Sequence, residues 1–178
     1  MKRLSLVVVT LAVFSVACGG SGSPSSPSSP SPPAPPLSAR FTAQLLPANE
    51  VPPITNADAS ASGTTTITLN LTRDATGAIT AATADFQTTV AGFPATATVT
   101  AGHIHRAAAG TNAGVLTGQL GAGALALTNG AGSVTNTGIS VGATDAQGML
   151  DNPSGHYFNV HTALNSGGAI RGQLSRTQ

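Results

Sequence analysis

From Phe41 to Ser175 the chain runs in short Thr-rich stretches that alternate apolar and polar residues, and Gly, Asn, Asp or Pro closes each one. Alternation with a period of two puts every second side chain on one face, so such runs read as half-buried strands. The clearest is Gly63 to Arg73, where Ile67, Leu69 and Leu71 interleave with Thr66, Thr68 and Asn70. Asp74-Ala75-Thr76-Gly77 is a hairpin turn, with Gly77 suited to a positive φ, and it leads into a strand from Ala78 to about Val90. Further strands are predicted at Phe41–Leu46, Ala95–His105, Val115–Leu120, Ser133–Val141, Tyr157–Ala163 and Ala169–Ser175. Apolar residues never recur at helical spacing over three turns, and only Ala143 to Leu150 reads as a short helical turn. About eight closely spaced strands without helical layers predict an all-β fold, an antiparallel β-sandwich or barrel-like domain. Its bulky core members are Phe41, Phe86, Phe93 and Phe158, and Ala and Gly must let the sheets approach closely.

One block is written twice. HIHRAAAGTNAGVLTGQL, from His103, and VHTALNSGGAIRGQL, from Val160, each join an alternating run ending in His to a small-residue loop and a second run ending in Gly-Gln-Leu. Each reads as a β-hairpin with histidine at its mouth. Three of the chain's four histidines, His103, His105 and His161, lie in these two places. Hairpins packed side by side in the same sense bring them together.

His103 and His105 are two apart on a strand, so their rings share a face. Two such imidazoles with a third from His161 make a nitrogen set suited to copper or zinc, to which Glu50 or Tyr157 can add oxygen. The competing reading is a structural network in which the rings bond backbone carbonyls or Glu50. Strand parity separates the rings: His103 and His105 share a face with Val99 and Ala101, whereas His161 lies opposite Phe158 and Val160. Convergence therefore requires a bulge, with Gly102 the candidate, that flips the end of the first strand. Glu50, in a proline-stiffened segment, and Arg171, on the last strand, are expected to form a bidentate clasp. His156, in a turn after Gly155, is expected to be exposed. No nucleophile, paired acid and base, or phosphate loop stands out, which predicts a non-catalytic protein.

Residues 1–17 read as a leader. Lys2 and Arg3 precede an uncharged run to Ala17, which at about 1.5 Å per helical residue spans roughly 21 Å, short of a bilayer core of about 30 Å. The segment resembles a bacterial lipoprotein signal, which makes Cys18, the only cysteine, the acylated residue and a lipid anchor to membrane. Gly19 rather than Asp after it implies, by the same resemblance, the outer membrane of the cell envelope. Residues 18–38 form a Gly/Ser/Pro-rich tether able to extend roughly 50 Å at about 3.1 Å per residue, and residues 39–178 form one domain. Setting aside Lys2 and Arg3, the basic residues Arg40, Arg73, Arg106, Arg171 and Arg176 face six acidic ones. Without clustered positive charge, nucleic acid is excluded as a partner, leaving an unidentified protein or surface ligand.

Three stretches, FTAQLLPANEVPP, AGHIHRAAAGTNAGVL and GHYFNVHTALNSGGAIRGQL, resemble the CHRD domain, a module named after repeats in chordin and frequent in exported bacterial proteins. The resemblance covers about Phe41 to Leu174 and implies an all-β domain in an extracytoplasmic setting. Its motifs fall on Asn49, Glu50, Pro52, His103, His105, Asn159, His161, Thr162, Arg171, Gly172 and Gln173. Gly102 stands where the family often has alanine. Among these, Glu50, Asn159, Arg171 and Gln173 are read as a structural polar network, with His103, His105 and His161 as the alternative metal ligands. A weaker likeness to copper-zinc superoxide dismutase fails because the chain lacks the bridging histidine and the disulfide cysteines.

Overall fold

The computed structural model describes Pro35, residues 37–121 and residues 123–178. The leader, Cys18 and nearly all of the tether lie outside the described residues. Nine strands form two antiparallel sheets: β1 (Ser38–Leu45), β2 (Ser62–Arg73), β3 (Ile79–Ala91), β4 (Val99–His105), β5 (Val115–Leu120), β6 (Gly132–Val141), β7 (Tyr157–Thr162), β8 (Ile170–Gln173) and β9 (Ser175–Arg176). The larger sheet runs β6-β3-β2-β1-β9 and the smaller β5-β4-β7-β8. The result is a sandwich rather than a closed barrel.

Burial follows the alternation. Phe41 and Leu45 of β1, Ile67 and Leu69 of β2, Ala84 and Phe86 of β3, and Ile104, Phe158, Val160 and Ile170 of the smaller sheet all face inward. Phe86 meets Phe158 across the layers with ring centroids 5.8 Å apart. The hairpin turn forms as predicted, with Gly77 at φ 87° and the Asp74 carboxylate accepting from the Thr76 and Ala78 amides. The Ala143–Leu150 turn is a full helix, α1 (Ala143–Asp151), which buries Ala146 and Met149. Among the described residues no helix is long and apolar enough to cross a membrane.

The ninth strand arises because Ala169–Ser175 does not run as one strand. It breaks at Leu174, so that β8 stays in the smaller sheet while β9 pairs with β1 in the larger. Leu46, just past β1, exchanges both backbone hydrogen bonds with Arg171, tying the two sheets at this corner. Gly172 permits that approach, since a Cβ there would fall onto the Gln44 carbonyl. The tie carries the segment after β1, with Asn49 and Glu50, over the outer face of β8.

Candidate metal centre

The outer face of the smaller sheet carries a second buried layer, made of polar residues. Its origin is a register shift in β4. Val99 pairs with Thr162 and Ala101 with His161, so Thr100 is the extra residue of a bulge. Beyond it Gly102 and Ile104 face the core, and His103 and His105 turn outward to join Tyr157, Asn159 and His161 of β7 and Arg171 and Gln173 of β8. The predicted parity flip therefore occurs, two residues before Gly102. The hairpins themselves meet in opposite senses, since β4 and β7 are antiparallel neighbours, so the histidines converge without same-sense packing. His103 sits opposite Asn159, midway between His105 and His161, and reaches both along the sheet surface.

The three ring systems form one cluster. Centroid separations are 4.8 Å for His103 and His105, 4.5 Å for His103 and His161, and 6.1 Å for His105 and His161. A carbonyl only accepts, so the bonds from His105 Nδ1 to Ala113 O (2.8 Å) and from His161 Nδ1 to Ser166 O (2.9 Å) place the proton on each Nδ1. The Nε2 lone pairs of both rings are thereby aimed into the cluster. His105 Nε2 accepts from His103 Nδ1 at 2.9 Å, while His161 Nε2 is buried with no protein partner. One potential ligand nitrogen from each ring lies within 4.8 Å of the others. Three nitrogens at about 2.0–2.1 Å from a tetrahedral ion stand roughly 3.3 Å apart, so loading requires modest ring movement. Moving the His103 proton to its Nε2 frees the remaining lone pair. Nδ1–H bonds to carbonyls are also the usual outer support of metal-binding imidazoles.

The rings are in ligand form at neutral pH. Burial, reinforced by His161 and then His105, pushes His103 down to about 4, and burial lowers His105 and His161 as well. Glu50 is displaced in the opposite sense: burial raises its carboxyl to about 7 despite the opposing pull of Arg171.

Loops cover this layer and are held by its side chains. Arg171, 2% exposed, donates from Nε to Asn49 O (2.6 Å) and from Nη1 to Asn112 Oδ1 (2.8 Å) and Thr111 O (3.3 Å). Its contact with Glu50 Oε2 is a single one of 3.7 Å, not the expected bidentate clasp, because Nε is taken by Asn49 O and Nη1 by Thr111 O and Asn112 Oδ1, so neither fork of the guanidinium is free as a pair. Tyr157 is sandwiched: its ring stacks on His105 at 4.6 Å and 10°, and the Arg171 guanidinium lies 4.6 Å over the ring. The Ala113 amide donates to the Tyr157 hydroxyl (3.3 Å), so Tyr157 supports the cluster through stacking and this bond. Glu50 likewise lies outside the mutually close set of three histidines. Gln173 donates to the carbonyls of Ala107, Ser154 and His156, pinning the start of the covering loop. His156 is buried rather than exposed, because its Nδ1 turns back to donate to Asn152 O at 3.0 Å.

The Ala113 and Ser166 carbonyls were not legible in the sequence, since nothing in two small-residue loops marks which carbonyl will meet a ring. Asn112 was readable only as part of the GTNAG loop. No curated protein and no solved structure matches the chain. The sequence profile of the CHRD domain matches residues 41–174, a span that holds every residue of this buried layer from Asn49 to Gln173. Membership supports an extracellular binding or structural module, and the chain belongs to the CHRD domain family.

Proposed function

We propose that the chain is a non-catalytic binding module of the bacterial cell envelope, held at the outer membrane by an acylated Cys18 and the Gly/Ser/Pro tether, whose three-histidine cluster binds copper or zinc. The observation that carries the metal reading is His161 Nε2. A buried imidazole nitrogen whose tautomer is fixed by Ser166, with its lone pair beside two further neutral imidazoles, costs about 1–3 kcal/mol unless something accepts that lone pair. Imidazole donors without a thiolate suit copper(II) and zinc. Arg171 and Gln173 fix the loops that hold the rings in place, and Glu50 and Asn159 are buried beside them.

One feature of the chain makes the test site-specific. Tyr157 is the only tyrosine and there is no tryptophan, so intrinsic emission reports a ring stacked on His105. Copper(II) is expected to quench that emission with an endpoint at one equivalent, and His161→Ala to abolish the stoichiometric phase. Emission unchanged by one equivalent of copper would overturn the metal reading in favour of a purely structural network, for which the satisfied His103–His105 hydrogen bond speaks.

A further inference from the structure

Four buried side-chain atoms without a hydrogen-bond partner gather in one place: His161 Nε2, Asn159 Oδ1, Glu50 Oε1 and Arg171 Nη2. Asn159 is the cross-strand neighbour of both His103 and Arg171, and Glu50 Oε2 lies 3.7 Å from Arg171 Nε. Gly168, at φ +132°, closes the group from above, since a Cβ there would lie 2.5 Å from Asn159 Nδ2 and 2.8 Å from Glu50 Oε2. Buried polar groups are normally paired, so a concentration of orphans marks a place built for a guest.

We propose that this group receives a small oxyanion retaining one hydrogen, of the size of hydroxide to hydrogencarbonate, as the exogenous ligand of the metal; this rests on the metal reading above. Charge and donor balance favour such a guest. Three neutral imidazoles leave both charges of a divalent ion uncompensated, and the Glu50 carboxylate is already opposed by Arg171. The unpaired N–H groups of Arg171 Nη2 supply donors to anionic oxygen, while Asn159 Oδ1 and Glu50 Oε1 supply acceptors for the ligand's hydrogen. A cleft of about 340 Å³, lined by Glu50, Pro52, Asn112, Ser166 and Gly168, borders the group on its Glu50 and Gly168 side. The close approach of Gly168 to Asn159 and Glu50 restricts the guest to a few atoms.

The test uses the full exported chain with Cys18→Ser, loaded with copper(II) and titrated with sodium hydrogencarbonate at fixed pH. Copper content is read by elemental analysis, and ligand binding by the d–d absorption band and electron paramagnetic resonance. A saturable spectral change is expected, weakened at least tenfold by the isosteric Asn159→Asp, which adds negative charge, and tightened about tenfold by Glu50→Gln, which removes it. Copper-loaded protein whose spectrum ignores hydrogencarbonate, or whose affinity is equal in all three forms, would overturn the oxyanion site and leave the metal reading standing. Failure of the parent to load copper would overturn both.

Discussion

Glu50→Gln should change how stability depends on pH more than it changes stability at any one pH. Burial raises the Glu50 carboxyl from 4.5 to about 7, so the folded chain holds this proton more tightly than the unfolded chain does. The stability contributed by the protonated form is therefore fully present below pH 4.5 and lost as pH rises through 7. At about 1.36 kcal/mol per unit, the displacement corresponds to roughly 3 kcal/mol between pH 4 and pH 8.5. The histidines act in the opposite sense. His103, lowered from 6.5 to about 4, contributes stability present above pH 6.5 and lost as pH falls through 4, so the parent's raw profile mixes two slopes. Glutamine keeps the shape of Glu50 and retains all the histidines, so subtracting the two profiles isolates the carboxyl. Urea unfolding in EDTA at pH 4, 5.5, 7 and 8.5 should show the parent losing roughly 3 kcal/mol relative to Glu50→Gln across that range, with the largest change between pH 5 and 8. Parallel profiles would refute the reasoning, because they would mean that Glu50 ionises as easily in the folded chain as in water.

Gly172→Ala should cost more than about 2 kcal/mol, since the added methyl meets the Gln44 backbone carbonyl rather than a movable side chain, and thermal unfolding checks it. Asp58→Ala should cost about 2–3 kcal/mol in denaturant unfolding, because it strips the buried acceptor of Thr162 Oγ1 (2.7 Å) and Asn165 Nδ2 (2.6 Å) at the foot of the loop that carries Ser166. Copper loaded at neutral pH should survive dialysis at pH 6 and be released as pH falls toward 4, because the lowered proton affinity of His103 delays proton competition; stepped dialysis with metal analysis measures the release.

The strands were legible because one face of each is buried and the other is rich in threonine. The β2 alternation of Ile67, Leu69 and Leu71 fixes its inner face from sequence alone, and the structure agrees at each position. Two features were not legible, for physical reasons. The break at Leu174 depends on β9 finding its partner in β1, a pairing some 130 residues away in sequence that no local pattern encodes. The bulge at Thr100 was required by the parity of Val99 against His161, but its position was not, since a bulge is set by where the β4 and β7 ladders stay in register. Glu50 and Arg171 were correctly brought to one corner, but the sequence was silent on the carbonyls of Asn49 and Thr111 that displace the bidentate pair. The covering loops explain why His103, His105 and His161 are each less than 10% exposed on what a sandwich would ordinarily present to solvent.

Whether the three histidines hold a metal is answered most directly by elemental analysis of the untagged chain purified from an exporting host. Close to one copper or zinc per chain is expected in the parent, and none in a variant with His103, His105 and His161 all replaced by alanine. A parent that is free of metal and takes up neither copper nor zinc on titration would contradict the metal reading.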